Sequence, residues 1–296
     1  MDPTSRQQAQ SALYIVFLAA LAAVPPLATD MYLAAMPLIA RQWDEPDSRV
    51  ALSLVLWFVT FSVFLLLCGP ISDKYGRRPV LLAGLSVFTV ATIACALAAN
   101  VTQLIAFRIL QGAGAAGPSA MCMAICRDRY EGAQRKRALA YIGIILGLAP
   151  MIAPMIGAAL LRFSRWRAIF ALQAALVGGT LLMSLGYVET AAERLHGPVL
   201  ALLGRYRLLA RNRRYMLTTA AMGLILGPFY GFIAFAPIVY IQIFGLSNQA
   251  FSLLFGANAL MSMLGAFTCT RVMKFWSDAL LLTVCLVGCA AAGRAF

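Results

Sequence analysis

Apolar runs of about 20 residues, separated by short charged stretches, constrain this chain more than any other feature. The clearest pair flanks residues 69–79, Gly-Pro-Ile-Ser-Asp-Lys-Tyr-Gly-Arg-Arg-Pro. Residues 50–68 precede it and residues 80–99 follow it, each long enough to cross a hydrocarbon core as a helix. The charged stretch is therefore expected to be a tight turn joining two membrane helices on one side of a bilayer. Gly69 and Gly76 permit close packing and a sharp turn. Asp73 can cap a helix or pair with an arginine. Arg77 and Arg78 are expected at the headgroup level.

The rest of the chain repeats the pattern. Further spans are expected at 12–36, 103–126, 138–161, 168–188, 216–244 and 250–270, with a ninth starting near 279. At 62% hydrophobic and 12% charged residues, the chain is far more apolar than a soluble domain. Its net charge of +13 does not point to nucleic acid, because the arginines sit in short loops beside the apolar runs. The amino-terminal run continues past Pro25 and Pro26 to Met36, so it reads as an uncleaved first helix, not a signal peptide. Most lysine and arginine falls on one side if the N-terminus, 69–79, 127–137, 189–215 and 271–278 share it; the 162–167 cluster is the exception. The positive-inside rule makes that side the cytoplasm. Cys68, Cys95, Cys122, Cys126, Cys285 and Cys289 lie mostly within apolar runs without a CxxC pair, as small hydrophobes do. The single histidine, His196, has no metal-ligand neighbours. No metal site is expected, and no nucleophile–histidine arrangement points to an enzyme.

Three units follow: residues 1–188 with six spans, a basic connector over 189–215, and residues 216–296 with three spans. In the connector, arginines interleave with leucines. It is either an amphipathic helix on the inner surface or a solvated linker drawn to anionic lipid.

The 69–79 stretch is similar to the loop between the second and third helices of the major facilitator superfamily, G-x-x-x-D-x-x-G-R-[RK]. Two other stretches resemble the same family. Arg108, in Phe-Arg-Ile-Leu-Gln-Gly-Ala-Gly-Ala-Ala, matches the R-x-x-Q-G-x-G-x-A pattern associated with proton-coupled members. A charge within an apolar helix costs about 2.5–3.5 kcal/mol on insertion scales, so Arg108 needs a partner or a wet cavity unless it snorkels to the interface. Gly112, Gly114 and Gly117 spell G-x-G-x-x-G, but no strand precedes them, so close helix packing is the better reading. The run 143–157, with Gly147, Pro150, Pro154 and Gly157, resembles the glycine–proline signature of antiporters in its Bcr/CflA form. Asp30, in Thr-Asp-Met-Tyr-Leu-Ala-Ala-Met-Pro, resembles the first-helix pattern of that branch, with Ala34 where a proline is common.

The resemblance implies an all-α membrane protein: one complete six-helix half of a major facilitator fold, then three helices of the second half. It implies proton-coupled efflux of drugs or other small amphipathic molecules by alternating access, from a bacterial inner membrane, as a monomer if full length, with a cytoplasmic N-terminus and no cofactor beyond the proton gradient. Small molecule, proton and lipid bilayer are then the partners. Asp30 and Arg108 are the expected coupling pair. A carboxyl out of water favours its protonated form, and a neighbouring guanidinium favours the ionised one. Alternatively the two simply pair near the outer rim. Tyr32, Met36, Gln111, Met121, Tyr230 and Phe232 are candidate cavity residues. Gly69, Asp73, Gly76, Arg77, Arg78, Gly112, Gly114, Gly147, Pro150, Pro154 and Gly157 are candidates for gating and helix packing. The alternatives are a metabolite or nucleoside exporter on the same scaffold, and a remnant that does not transport, since the family's usual twelve spans are not all here.

Overall fold

A computed structural model describes residues 3–190 and 199–272, and these are helical almost throughout. In chain order the helices are α1 (Pro3–Leu33), α2 (Met36–Trp43), α3 (Asp47–Tyr75), α4 (Arg77–Leu97), α5 (Val101–Arg129), α6 (Gly132–Phe163), α7 (Arg167–Leu185), α8 (Val199–Arg211), α9 (Arg213–Pro237) and α10 (Asn248–Val272). A π-helical turn, Ile238–Ile243, follows α9. Pro237 just before it cannot donate back into the helix, and the chain widens there. Among the described residues, α1 from Tyr14, α3, α4, α5, α6 and α7 are long and apolar enough to cross a membrane. Helices α9 and α10, 25 residues each, stand where the seventh and eighth spans are expected. The expected ninth span, His196, Lys274, Cys285 and Cys289 lie outside the described residues.

Several expected loops are shorter than their charge suggested. The 69–79 stretch is not an extended turn. Helix α3 runs through Gly69 and Pro70 to Tyr75, and Gly76 alone separates it from α4. Gly76 has φ of 102°, a conformation that favours glycine. Likewise the basic 127–137 segment is mostly helix, broken only at Tyr130 and Glu131. Charge marked these junctions, yet arginine and lysine are good helix formers, so the helices extend beyond the apolar runs. The polar 37–49 segment contains α2, which is seated by Trp43 stacked edge-on against Trp166 at 5.3 Å. Trp166 Nε1 also donates to Gln42 at 2.8 Å. In the connector, α8 is a helix, and Asn212 alone separates it from α9, accepting a cap bond from the Tyr215 N–H.

Glycines set the closest helix contacts. Gly84 of α4 faces Gly114 and Gly117 of α5, where a Cβ on Gly84 would come within 2.8 Å of the Gly117 backbone. Gly112 rests on the Trp57 backbone of α3, and Gly157 of α6 on the Met31 backbone of α1. Such backbone approach is how membrane helices associate without a hydrophobic driving force between them. Two buried clusters mark the two ends of the bundle. One, near the Gly76 and Tyr130 breaks, gathers Phe17, Leu85, Phe88 and Ile125; this is the basic end. The other, at the opposite end, gathers Ile39, Leu54, Phe170 and Phe251.

Candidate functional site

A cavity of about 1040 Å³ lies among α1, α3, α5, α6, α9 and α10. Its wall includes Pro25, Pro26 and Asp30 of α1, Trp57, Phe58 and Ser62 of α3, and Cys122 and Met123 of α5. Gly143, Gly147 and Pro150 of α6, Tyr230 and Phe232 of α9, and Phe255, Asn258 and Met263 of α10 complete it. The wall is drawn largely from the parts of α3, α5, α6 and α10 that run toward the basic end. Toward the opposite end the helices close. Gln242 donates to the Asp47 carboxylate at 2.6 Å, and the Ser252 hydroxyl lies 3.1 Å from the Pro154 carbonyl.

Among the described residues, Asp30 is the one charged side chain on the cavity wall. It is buried, at 5% exposure. The Thr29 hydroxyl lies 2.8 Å from its Oδ1 and 3.1 Å from the Pro25 carbonyl. Pro25 and Pro26 have no N–H, so α1, though continuous, lacks their intrahelical hydrogen bonds where it meets the cavity.

Arg108 lies outside that wall and forms no ion pair with Asp30. Nor does it snorkel: its side chain is fully buried. One terminal nitrogen donates to the Ala28 carbonyl at 2.9 Å and to Gln111 Oε1 at 2.5 Å. Its guanidinium stands 4.6 Å from the Tyr32 ring centre and 5.6 Å from that of Trp57, placing the charge against two π-faces. Among the described residues, its Nε and other terminal nitrogen have no hydrogen-bond partner, and neither has the buried Nε1 of Trp57.

A polar chain extends from this arginine. Gln111 Nε2 donates to Thr92 Oγ1 at 2.7 Å and to Gln173 Oε1 at 3.3 Å. Gln173 Nε2 reaches the Leu27 carbonyl at 3.0 Å. Helices α5 and α7 thus grip the α1 backbone at Leu27 and Ala28, beside Asp30. Of the candidate cavity residues, Tyr230 and Phe232 line the wall. Tyr32, Met36, Gln111 and Met121 are packed in the interior away from it. Tyr32 bonds Ser53 at 2.9 Å.

The charged residues at the basic end form a separate cluster. Arg77 is buried among acidic and hydroxyl partners. It donates to Asp73 at 2.6 Å, to Ser72 at 2.6 Å and to Asp128 at 2.9 Å. Asp73, in the last turn of α3, pairs with this arginine and caps no helix. The carboxylate of Glu189, after α7, accepts from the backbone N–H groups of Arg77 and Arg78 at 2.9 and 3.1 Å. Arg78 donates to the Leu185 carbonyl at 2.9 Å. Sequence reasoning missed Asp128, Gln173 and Glu189 as partners. Gln173 did carry a signal, as an amide inside an apolar run.

The structure places the remaining candidates as follows. Gly147 faces the Met263 side chain, Pro150 is on the cavity wall, and Pro154 is buried beside Ser252. Cys68, Cys95, Cys122 and Cys126 are buried free thiols. Burial and the neighbouring Thr190 hydroxyl act oppositely on Tyr187, whose phenol is pushed above its ordinary range with burial prevailing.

Residues 9–296 match the family described as Major Facilitator Superfamily. The chain is 33% identical over 293 residues to an uncharacterized MFS-type transporter of Bacillus subtilis, YdgK, covering 97% of this chain and 72% of that protein. It is 31% identical to a chloramphenicol resistance protein of Pseudomonas aeruginosa, covering 90% of this chain and 63% of that one. To multidrug resistance protein D of Escherichia coli it is 30% identical, covering 89% and 66%. The chain thus spans about two thirds of the length of such relatives. Among solved structures, a bacterial homolog of the human lysosomal transporter Spinster, in an inward-facing and unoccupied conformation, aligns with a TM-score of 0.69 at 18% identity, covering 90% of this chain and 64% of that one. A D-xylose–proton symporter aligns at 0.66 and 13% identity, covering 88% and 69%; these two likenesses concern the fold alone. The chain belongs to the Major Facilitator Superfamily, as a multi-pass membrane transporter with bacterial relatives and not an enzyme.

Proposed function

We propose that this protein exports drugs or other small amphipathic molecules from the bacterial cytoplasm in exchange for protons. The observation that carries the reading is the carboxyl of Asp30, the one carboxyl among the described residues on the wall of a largely apolar cavity. Aromatic rings and small residues accept an apolar body, and a single carboxyl can hold a proton or a polar group of the substrate, one at a time. The names of the relatives, with chloramphenicol and multidrug resistance, support efflux as the direction.

On this reading the units are residues 1–188 and 216–296, joined by a connector over 189–215, and they rock about the cavity. The basic end faces the cytoplasm, following the positive-inside rule. The Gln242–Asp47 contact is then the closed outer side. A proton arriving at Asp30 from outside displaces the substrate, and its release inside resets the site. Arg108 does not neutralise Asp30 directly. It holds the neighbouring α1 backbone and positions Asp30 through Ala28, while Gln111 and Gln173 do the same through Leu27. The cluster around Arg77 is a clamp on the six-helix unit, joined by Glu189 at the start of the connector. The protein works as a monomer in the inner membrane.

The test is drug accumulation in cells stripped of their own exporters. Cells producing the protein hold less chloramphenicol than cells without it, and collapse of the proton gradient removes the difference. Equal accumulation across chloramphenicol and a panel of amphipathic dyes contradicts the proposal.

A further inference from the structure

We infer that Tyr206 of the connector is a positioning residue that docks α8 onto the proline gap of α3. Pro70 lies inside α3 and has no N–H, so the carbonyl of Leu66, four residues earlier, lacks its usual helical donor. The Tyr206 hydroxyl donates to that carbonyl at 2.9 Å. The bond joins residues 140 positions apart and supplies from the connector the donor that Pro70 withholds. Gly69 adjoins the dock: a Cβ there would stand 4.0 Å from the phenol oxygen, in ordinary van der Waals contact.

The position matters because Asp73 lies one helical turn beyond Gly69 and pairs with Arg77. Burial and the nearby Asp73 charge both push the Tyr206 phenol above its ordinary range, which keeps it protonated and able to donate. The connector is thus fastened to the stretch of α3 that leads into the Arg77 cluster, and a shift of α8 pulls on that stretch. This docking does not depend on what the protein transports.

The test is the rate of tryptic cleavage at the exposed connector arginines Arg207, Arg211, Arg213 and Arg214, in inverted vesicles holding the whole protein. Tyr206→Phe keeps the ring and removes the donor. Pro70→Ala restores an intrahelical donor to Leu66 and leaves the connector untouched. Each substitution is expected to raise the rate about five-fold, the loss of one ordinary hydrogen bond. The double variant is expected to match either single one, because both release the same contact. Tyr206→Phe cleaved at the wild-type rate overturns the inference. So does a double variant whose rate is the product of the two single effects.

Discussion

Arg77 donates through Nε to the Asp128 carboxylate at 2.9 Å, joining the start of α4 to the end of α5 across 51 residues of chain. The same guanidinium reaches Asp73 and Ser72, so one planar fork serves three acceptors in fixed directions. Arg77→Lys supplies one point charge in its place. It is expected to lower stability by about 3 kcal/mol, the lower part of what a broken buried ion pair costs, since Asp73 is partly in water. Thermal unfolding of the purified protein in detergent checks this, and an unchanged midpoint contradicts the clamp.

Glu189 places both carboxylate oxygens on the first N–H groups of α4, where the helix end carries partial positive charge. Glu189→Gln keeps one acceptor and loses the charge. The first turn of α4 is expected to exchange its amide hydrogens about five-fold faster, a cost of about 1 kcal/mol. The middle of α4 should be unaffected, and hydrogen–deuterium exchange resolved along the helix separates the two regions.

Two glycines should respond with opposite sign. A Cβ on Gly114 meets the backbone of Phe88, whereas one on Gly179 of α7 meets nothing. Gly114→Ala forces α4 and α5 apart and is expected to cost about 2 kcal/mol. Gly179→Ala removes backbone freedom from the unfolded chain and is expected to stabilise by about 0.5–1 kcal/mol. Paired melting curves decide, and equal shifts would mean that the α4–α5 approach is not as close as described.

What could be read in advance follows from how local each signal was. Membrane helices were legible because span length and the absence of charge are properties of a single segment. The packing role of Gly112 and Gly114 was legible because a glycine inside an apolar helix has few other uses. Helix ends were read less well: the stretch around Asp73 and Arg77 looked like a loop by its charge, yet α3 reaches Tyr75 and only Gly76 breaks it. The burial of Arg77 was not legible because its partner Asp128 lies 51 residues further along the chain. The same holds for Glu189 and Gln173. For Asp30 and Arg108, their places toward the outer halves of their expected spans suggested a pair, but the arginine turns to Ala28, Gln111 and the aromatic faces, and of the two only Asp30 reaches the cavity.

The most direct measurement of the account is proton-driven drug uptake into inverted vesicles carrying the wild-type protein or Asp30→Asn, at matched amounts of protein in the membrane. An imposed pH gradient, acid inside, is expected to drive drug uptake by the wild type, and the asparagine variant is expected to lose at least nine tenths of it. Drug addition is expected to release protons from the wild-type vesicles and none from the variant. Uptake by Asp30→Asn at the wild-type rate, with the same proton release, would contradict the assignment of Asp30 as the coupling carboxyl.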